Sequence, residues 1–215
     1  YKKTEQFDRL RATLNQIAKV QPNYVAVWDF QAHNLSFNVS VEFDDFRHRY
    51  IWVKKGIDYL TEGMQYNRSH AKMITTIGRY FGIKFGRSDE HFQYRRMFRD
   101  DSDFHKKMDE HLANQIENKK AVGPGGKPDS WLVARLWHLQ AQAVLTSPTR
   151  KITATSPLLF FSNAPKARMF FADAIEDEGY HNEMAQQAWR VALREWQAYG
   201  QRSLPTSYGH TLRLG

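Results

Sequence analysis

Along nearly every long stretch of this sequence the large apolar residues recur every third or fourth position rather than every second one. That spacing builds amphipathic helices and argues against a half-buried sheet. Phe7, Leu10, Leu14 and Ile17 mark a first helix over residues 2–20, stopped at Gln21-Pro22. Pro22 at a first helical position starts a second, with Tyr24, Val27, Trp28 and Leu35 on its apolar face. Ser40 to Asp45 reads as a turn, and Asp44 or Asp45 as the N-cap of a third helix that fades near Tyr66-Asn67. A fourth runs from Ser69 to about Phe85 and ends at Gly86. Helical pattern returns over Phe92 to Phe98 and Asp103 to Asn118.

Gly123-Pro124-Gly125-Gly126-Lys127-Pro128 breaks the pattern. A phosphate loop needs Ser or Thr after the lysine and a hydrophobic strand before the first glycine; Pro128 stands in the first place and no strand precedes. The run therefore reads as a linker. It divides the chain into an N-terminal helical array (1–122), the linker (123–128), C-terminal helix pairs (129–200) and an extended tail (201–215). Asp129 or Ser130 caps the helix of Trp131, Leu132, Leu136 and Leu139, and Thr146 to Pro157 is a polar loop. Ala164-Pro165 opens a helix that ends at Glu178-Gly179, and a last one spans His181 to Gly200. The expected class is all-α, as antiparallel pairs in a tetratricopeptide-like or irregular array. Small–large–small spacing at Gly56, Leu60 and Gly63, and again at Ala185, Trp189 and Ala192, is what close helix pairs require.

Lys and Arg total 31 against 23 Asp and Glu, a net charge of +8. Such a balance favours anionic surfaces such as acidic lipid, nucleic acid or an acidic protein. Arg95, Arg96 and Arg99, beside Phe92, Tyr94 and Phe98, form the densest basic patch. Asp100, Asp101 and Asp103 follow at once and would repel phosphates, which argues against nucleic acid. The patch reads as a solvated helix face open to a partner or an anionic lipid surface.

The absence of cysteine removes disulfides, thiolate metal sites and cysteine nucleophiles. Nine histidines remain. Asp45-x-x-His48 and Glu178-x-x-His181 echo the Glu-x-x-His of di-metal carboxylate bundles, though the second runs through Gly179. Asp101, His105 and Asp109 share one face at i,i+4 spacing, a second arrangement open to a divalent ion. His138, between Trp137 and Leu139, reads as a core histidine. There is no Gly-x-Ser-x-Gly elbow. No complete catalytic set emerges, so neither enzyme chemistry nor a cofactor is expected. Six tryptophans exceed what short helix pairs need for their own packing. Trp28, Trp52, Trp189 and Trp196, with Tyr208 of the tail, are the candidate partner-binding anchors beside the three arginines.

Three stretches carry a resemblance: VWDFQAHNLSFNVSVEFDDFRHRYIWVKKGIDYLTEGMQYN, GRSDEHFQYRRMFRDDSDFH and ALREWQAYGQRSLPTSYGHTLRL. Over most of residues 22–215 the chain resembles a family of mostly helical bacterial proteins labelled "iron responsive element" protein. The resemblance implies a membrane-anchoring segment N-terminal to this region, in keeping with a start at Tyr1, and hence membrane or envelope association. It implies no activity and no catalytic residues. The expectation is a non-catalytic protein-binding or structural subunit of a larger, membrane-associated assembly. Two alternatives stand beside it: a di-metal helical enzyme or metal store, and a basic module for RNA or anionic lipid.

Overall fold

The computed structural model describes residues 9, 12–13, 16–147, 156–205 and 211–213. The chain is all-α. Its helices are α1, described in part and ending over 16–20, then α2 (Val25–His33), α3 (Phe46–Tyr66), α4 (Ala71–Tyr80) and α5 (His91–Asp100). They continue as α6 (Ser102–Leu112), α7 (Ser130–Thr146), α8 (Pro157–Asp177) and α9 (Glu183–Gly200). No described helix is long and apolar enough to cross a membrane.

The aspartates read as caps do cap. The Asp45 carboxylate accepts from Arg47 N at 2.8 Å and starts α3, and Asp129 accepts from Trp131 N at 3.0 Å and starts α7. Pro22 does not open α2. It lies in the preceding turn, and Tyr24 is the N-cap. The Pro22 carbonyl is fixed instead by two side-chain donors, Trp28 Nε1 at 2.9 Å and Asn67 Nδ2 at 2.8 Å.

Two helices change pitch without breaking. α2 continues as a π-helical turn over Asn34–Val39 and a 3-10 turn over Ser40–Glu42, where a plain turn is expected. α4 continues as a π turn over Phe81–Phe85 up to Gly86. The first of these sets Ser36 against α3 at Gly56, where an added Cβ would lie 2.0 Å from Ser36 Oγ. Two turns along α3, a Cβ on Gly63 would stand 2.4 Å from the Trp28 ring. The small residues of α3 thus admit the bulky face of α2, the complementarity that their spacing implies. α6 stops earlier than its pattern predicts, because Ala113 and Asn114 take left-handed φ values of 52° and 57°.

The Gly/Pro run is a surface hairpin and not a linker between domains. Gly123 N donates to Lys127 O at 2.8 Å, Asp129 N to Ala121 O at 2.9 Å, and Val122 bridges Pro128. One cluster of buried apolar residues runs from Ala18 to Ala188 across this point. Its centre is α7, which packs against α4 on one side and α8 on the other, with Trp137, Phe81 and Phe85 fully buried. α9 then lies on α8 through Ala185, Ala188 and Ala192. The tail folds back instead of running out extended: β1 (Ser203–Pro205) pairs antiparallel with β2 (Thr211–Arg213), Leu204 opposite Leu212. Tyr208 and most of the loop at 146–157 lie outside the described residues.

Candidate functional site

The arginine patch is divided by the fold. On α5, Arg96 is exposed, but Arg95 is fully buried and Arg99 nearly so. Arg95 reaches Asp129 (Nη2–Oδ2 2.9 Å) and Glu178 (Nε–Oε1 2.6 Å). Arg99 bridges the same two carboxylates at 3.1 and 2.5 Å. Two positive and two negative groups close a neutral lattice that joins α5, the N-terminus of α7 and the residue after α8. Burial pushes the Glu178 carboxyl upward, but the hydrogen bonds and charges of Arg95 and Arg99 outweigh it and hold it below its ordinary value. A solvated face is therefore the wrong description of Arg95 and Arg99; of the three, only Arg96 is free to meet an anionic surface.

The same lattice removes Glu178 from metal chemistry. His181 is exposed in the turn beyond it, Asp45 is occupied as a cap, and His48 is exposed with its ring 5.9 Å from Phe43. The two motifs do not come together. In the second arrangement, Asp101 accepts from Tyr50 Oη (3.0 Å), Lys54 Nζ (2.5 Å) and Phe104 N (3.2 Å). Asp109 accepts from Ile116 N (2.9 Å) and Glu117 N (2.6 Å). Both carboxylates already hold donors. Among the described residues no group of three or more His, Asp or Glu is placed to hold a metal ion.

His138 is a buried histidine, as its position on an apolar helix implies. Asn163 Nδ2 donates to Thr75 Oγ1 at 3.2 Å, which leaves the hydroxyl hydrogen for His138 Nδ1, 2.7 Å away. Burial pushes the His138 pKa down to about 3. The unfolded chain takes up a proton near pH 6.5 that the folded chain refuses. Stability is thus complete above pH 6.5 and is lost as the pH falls toward 3. Unfolding free energies from urea titrations at pH 7.5 and 5 should differ by about 2 kcal/mol from this residue. The difference should shrink in a His138→Asn chain, whose Oδ1 sits where Nδ1 does; an unchanged difference would assign the acid sensitivity elsewhere.

The tryptophans divide as well. Trp28 is buried and Trp52 half-buried, and both line a cavity of about 510 Å³ between the end of α1, α2 and α3. Tyr59 and Tyr66 complete its aromatic walls, their ring centroids 4.7 and 6.1 Å from that of Trp28. Gln31 also lines it, and sequence reasoning passed over this residue. The signal was present: a glutamine three residues after Trp28 and four before Leu35, on the apolar stripe itself. Trp189 is 37% exposed and Trp196 half-buried on α9, where the Trp196 ring meets that of Tyr199 edge-on at 5.5 Å.

No protein-family model matches the chain, and neither the curated proteins nor the solved structures contain a significant match to it.

Proposed function

We propose that the chain is a non-catalytic, protein-binding subunit of a larger assembly, its helix pairs stacked in a tetratricopeptide-like or irregular array. The outer flank of α9 carries the reading. Large apolar side chains left exposed in a stripe on a helix mark a contact surface. α9 buries only alanines against α8, and its Glu195 is held from behind by Arg135 and Arg168 at 2.9 and 3.3 Å. Trp189, 37% exposed, and Leu193, 59% exposed, lie with half-buried Trp196 at i, i+4 and i+7, one stripe along the edge of the alanine face. A stripe of two tryptophans and a leucine supplies the large anchors that protein interfaces use.

Further support comes from the carboxylates. Asp45, Asp101, Asp109, Asp129 and Glu178, which acid–base or metal chemistry would need, serve as caps and counter-ions. Membrane association enters through the family resemblance, and exposed Arg96 within the net charge of +8 suits an anionic surface.

Substituting Glu at both Trp189 and Leu193 tests the reading. Helix content should stay nearly unchanged, and Leu193→Glu alone, at a position 59% exposed, should leave the melting temperature nearly so as well. Co-purifying proteins should be lost, with at least a tenfold weaker association. Retention of the same companions would remove α9 as the docking face.

A further inference from the structure

The spacing and charge of the α9 stripe describe the partner that fits it. Gln186, Trp189, Leu193 and Trp196 follow one another at intervals of three, four and three residues. That alternation holds one seam along a helix, and it is the repeat by which two helices lie side by side. Trp189 and Leu193 stand open in the middle of the seam, with Gln186 exposed ahead of them. The seam is one side chain wide. One border is the row of alanines buried against α8, and the other is polar. A single ridge of this kind enters the groove of another helix. It is too narrow to be the broad apolar face that a helix lying in a membrane surface requires.

The polar border is basic. Arg190 and Arg194 are exposed one turn apart beside Leu193, and neither has an ion pair or hydrogen bond among the described residues. Of the two carboxylates on α9, Glu183 stands at its first residue, and Glu195 is held from behind by Arg135 and Arg168. No acid on α9 therefore neutralises the two arginines from within the exposed face. A second copy of α9 laid along the seam would bring arginine rows together, and facing like charges select against such a pairing. The clamp on Glu195 also fixes α9 before binding, which lowers the ordering that docking requires.

We infer that the α9 seam receives an acidic amphipathic helix of a partner protein, its apolar ridge on Trp189 and Leu193 and its carboxylates on Arg190 and Arg194. The inference rests on the reading of α9 as the docking face and adds the kind of partner.

The test is titration of the full chain with a labelled synthetic helix of about three heptads, leucine at the seam and glutamate on both flanks, followed by fluorescence anisotropy. Its twin with lysine flanks is the comparison. Saturable binding of the glutamate helix is expected, about tenfold tighter than that of the lysine helix. Arg190→Glu with Arg194→Glu should reverse this preference, and Leu193→Glu should weaken both helices. All three positions are exposed, so the variants should keep their helix content. Equal affinity for the two helices, or a preference untouched by the arginine exchange, overturns the inference. So does a dimer of the chain that Leu193→Glu dissolves, which would make a second copy the occupant. Binding to phosphatidylserine vesicles that the arginine exchange abolishes, without binding of the glutamate helix, would assign the face to lipid instead. The two readings also fail separately. Loss of native companions on substituting Trp189 and Leu193 but not the arginines keeps α9 as the docking face and overturns the acidic partner; companions retained in both overturn the two together.

Discussion

Replacing Asp129 by Ala is expected to destabilise the chain by about 4 kcal/mol or more, a large share of the stability of a domain this size. Three losses coincide. The α7 cap at Trp131 N disappears, worth about 1 kcal/mol. Fully buried Arg95 loses its Asp129 partner at 2.9 Å, and Arg99 loses one of its two. Removing one member of a buried pair costs about 3–5 kcal/mol, because the remaining charge is left without compensation. Asp45→Ala is the matched control. It also removes a cap, but an exposed one, and should cost only about 1 kcal/mol. Combining Asp129→Ala with Arg95→Met should recover more than half of the loss, since the stranded charge goes too. Equal midpoints for the Asp129 and Asp45 variants in urea unfolding would show that the lattice contributes nothing beyond the cap.

A comparable loss is expected at Gly78, where α4 meets α7 with almost no space between them. A Cβ added there would lie 2.8 Å from Ala134 O, 2.9 Å from the His138 ring and 3.0 Å from Trp137 Cβ. The nearest atom is backbone, so a rotamer change cannot relieve the contact. Gly78→Val must push the helices apart and disturb Trp137, which is fully buried at the centre of the core. A cost of about 3 kcal/mol is expected, at the upper end for overpacking. Helix propensity works in the opposite direction, because Gly is the poorer helix former. An unchanged or raised melting temperature in the variant would mean that α4 and α7 do not approach this closely.

These two sites mark what could be read from the sequence and what could not. Helix positions and the caps at Asp45 and Asp129 follow from local pattern, because a cap and its amides lie within three residues. The small residues of α3 were legible for the same reason. The lattice was not. Arg95 and Arg99 sit in sequence beside Asp100, Asp101 and Asp103, and nearest-neighbour logic makes them a solvated patch. Their real counter-ions are 34 and 83 residues away for Arg95. Such pairings depend on how α7 and α8 return across α5. The π turns at Asn34–Val39 and Phe81–Phe85 escaped because a uniform 3.6 period presumes an unbroken helix. Gln31 was legible in principle, as a polar residue on an apolar stripe. Its two unpaired atoms appear only once the fold closes around it.

The central claim is that this chain works by holding other proteins, and the native mass tests it most directly. Protein released gently from its source should sediment as a particle of fixed stoichiometry, several times the mass of one chain, with defined companions. A free monomer without companions would contradict the account.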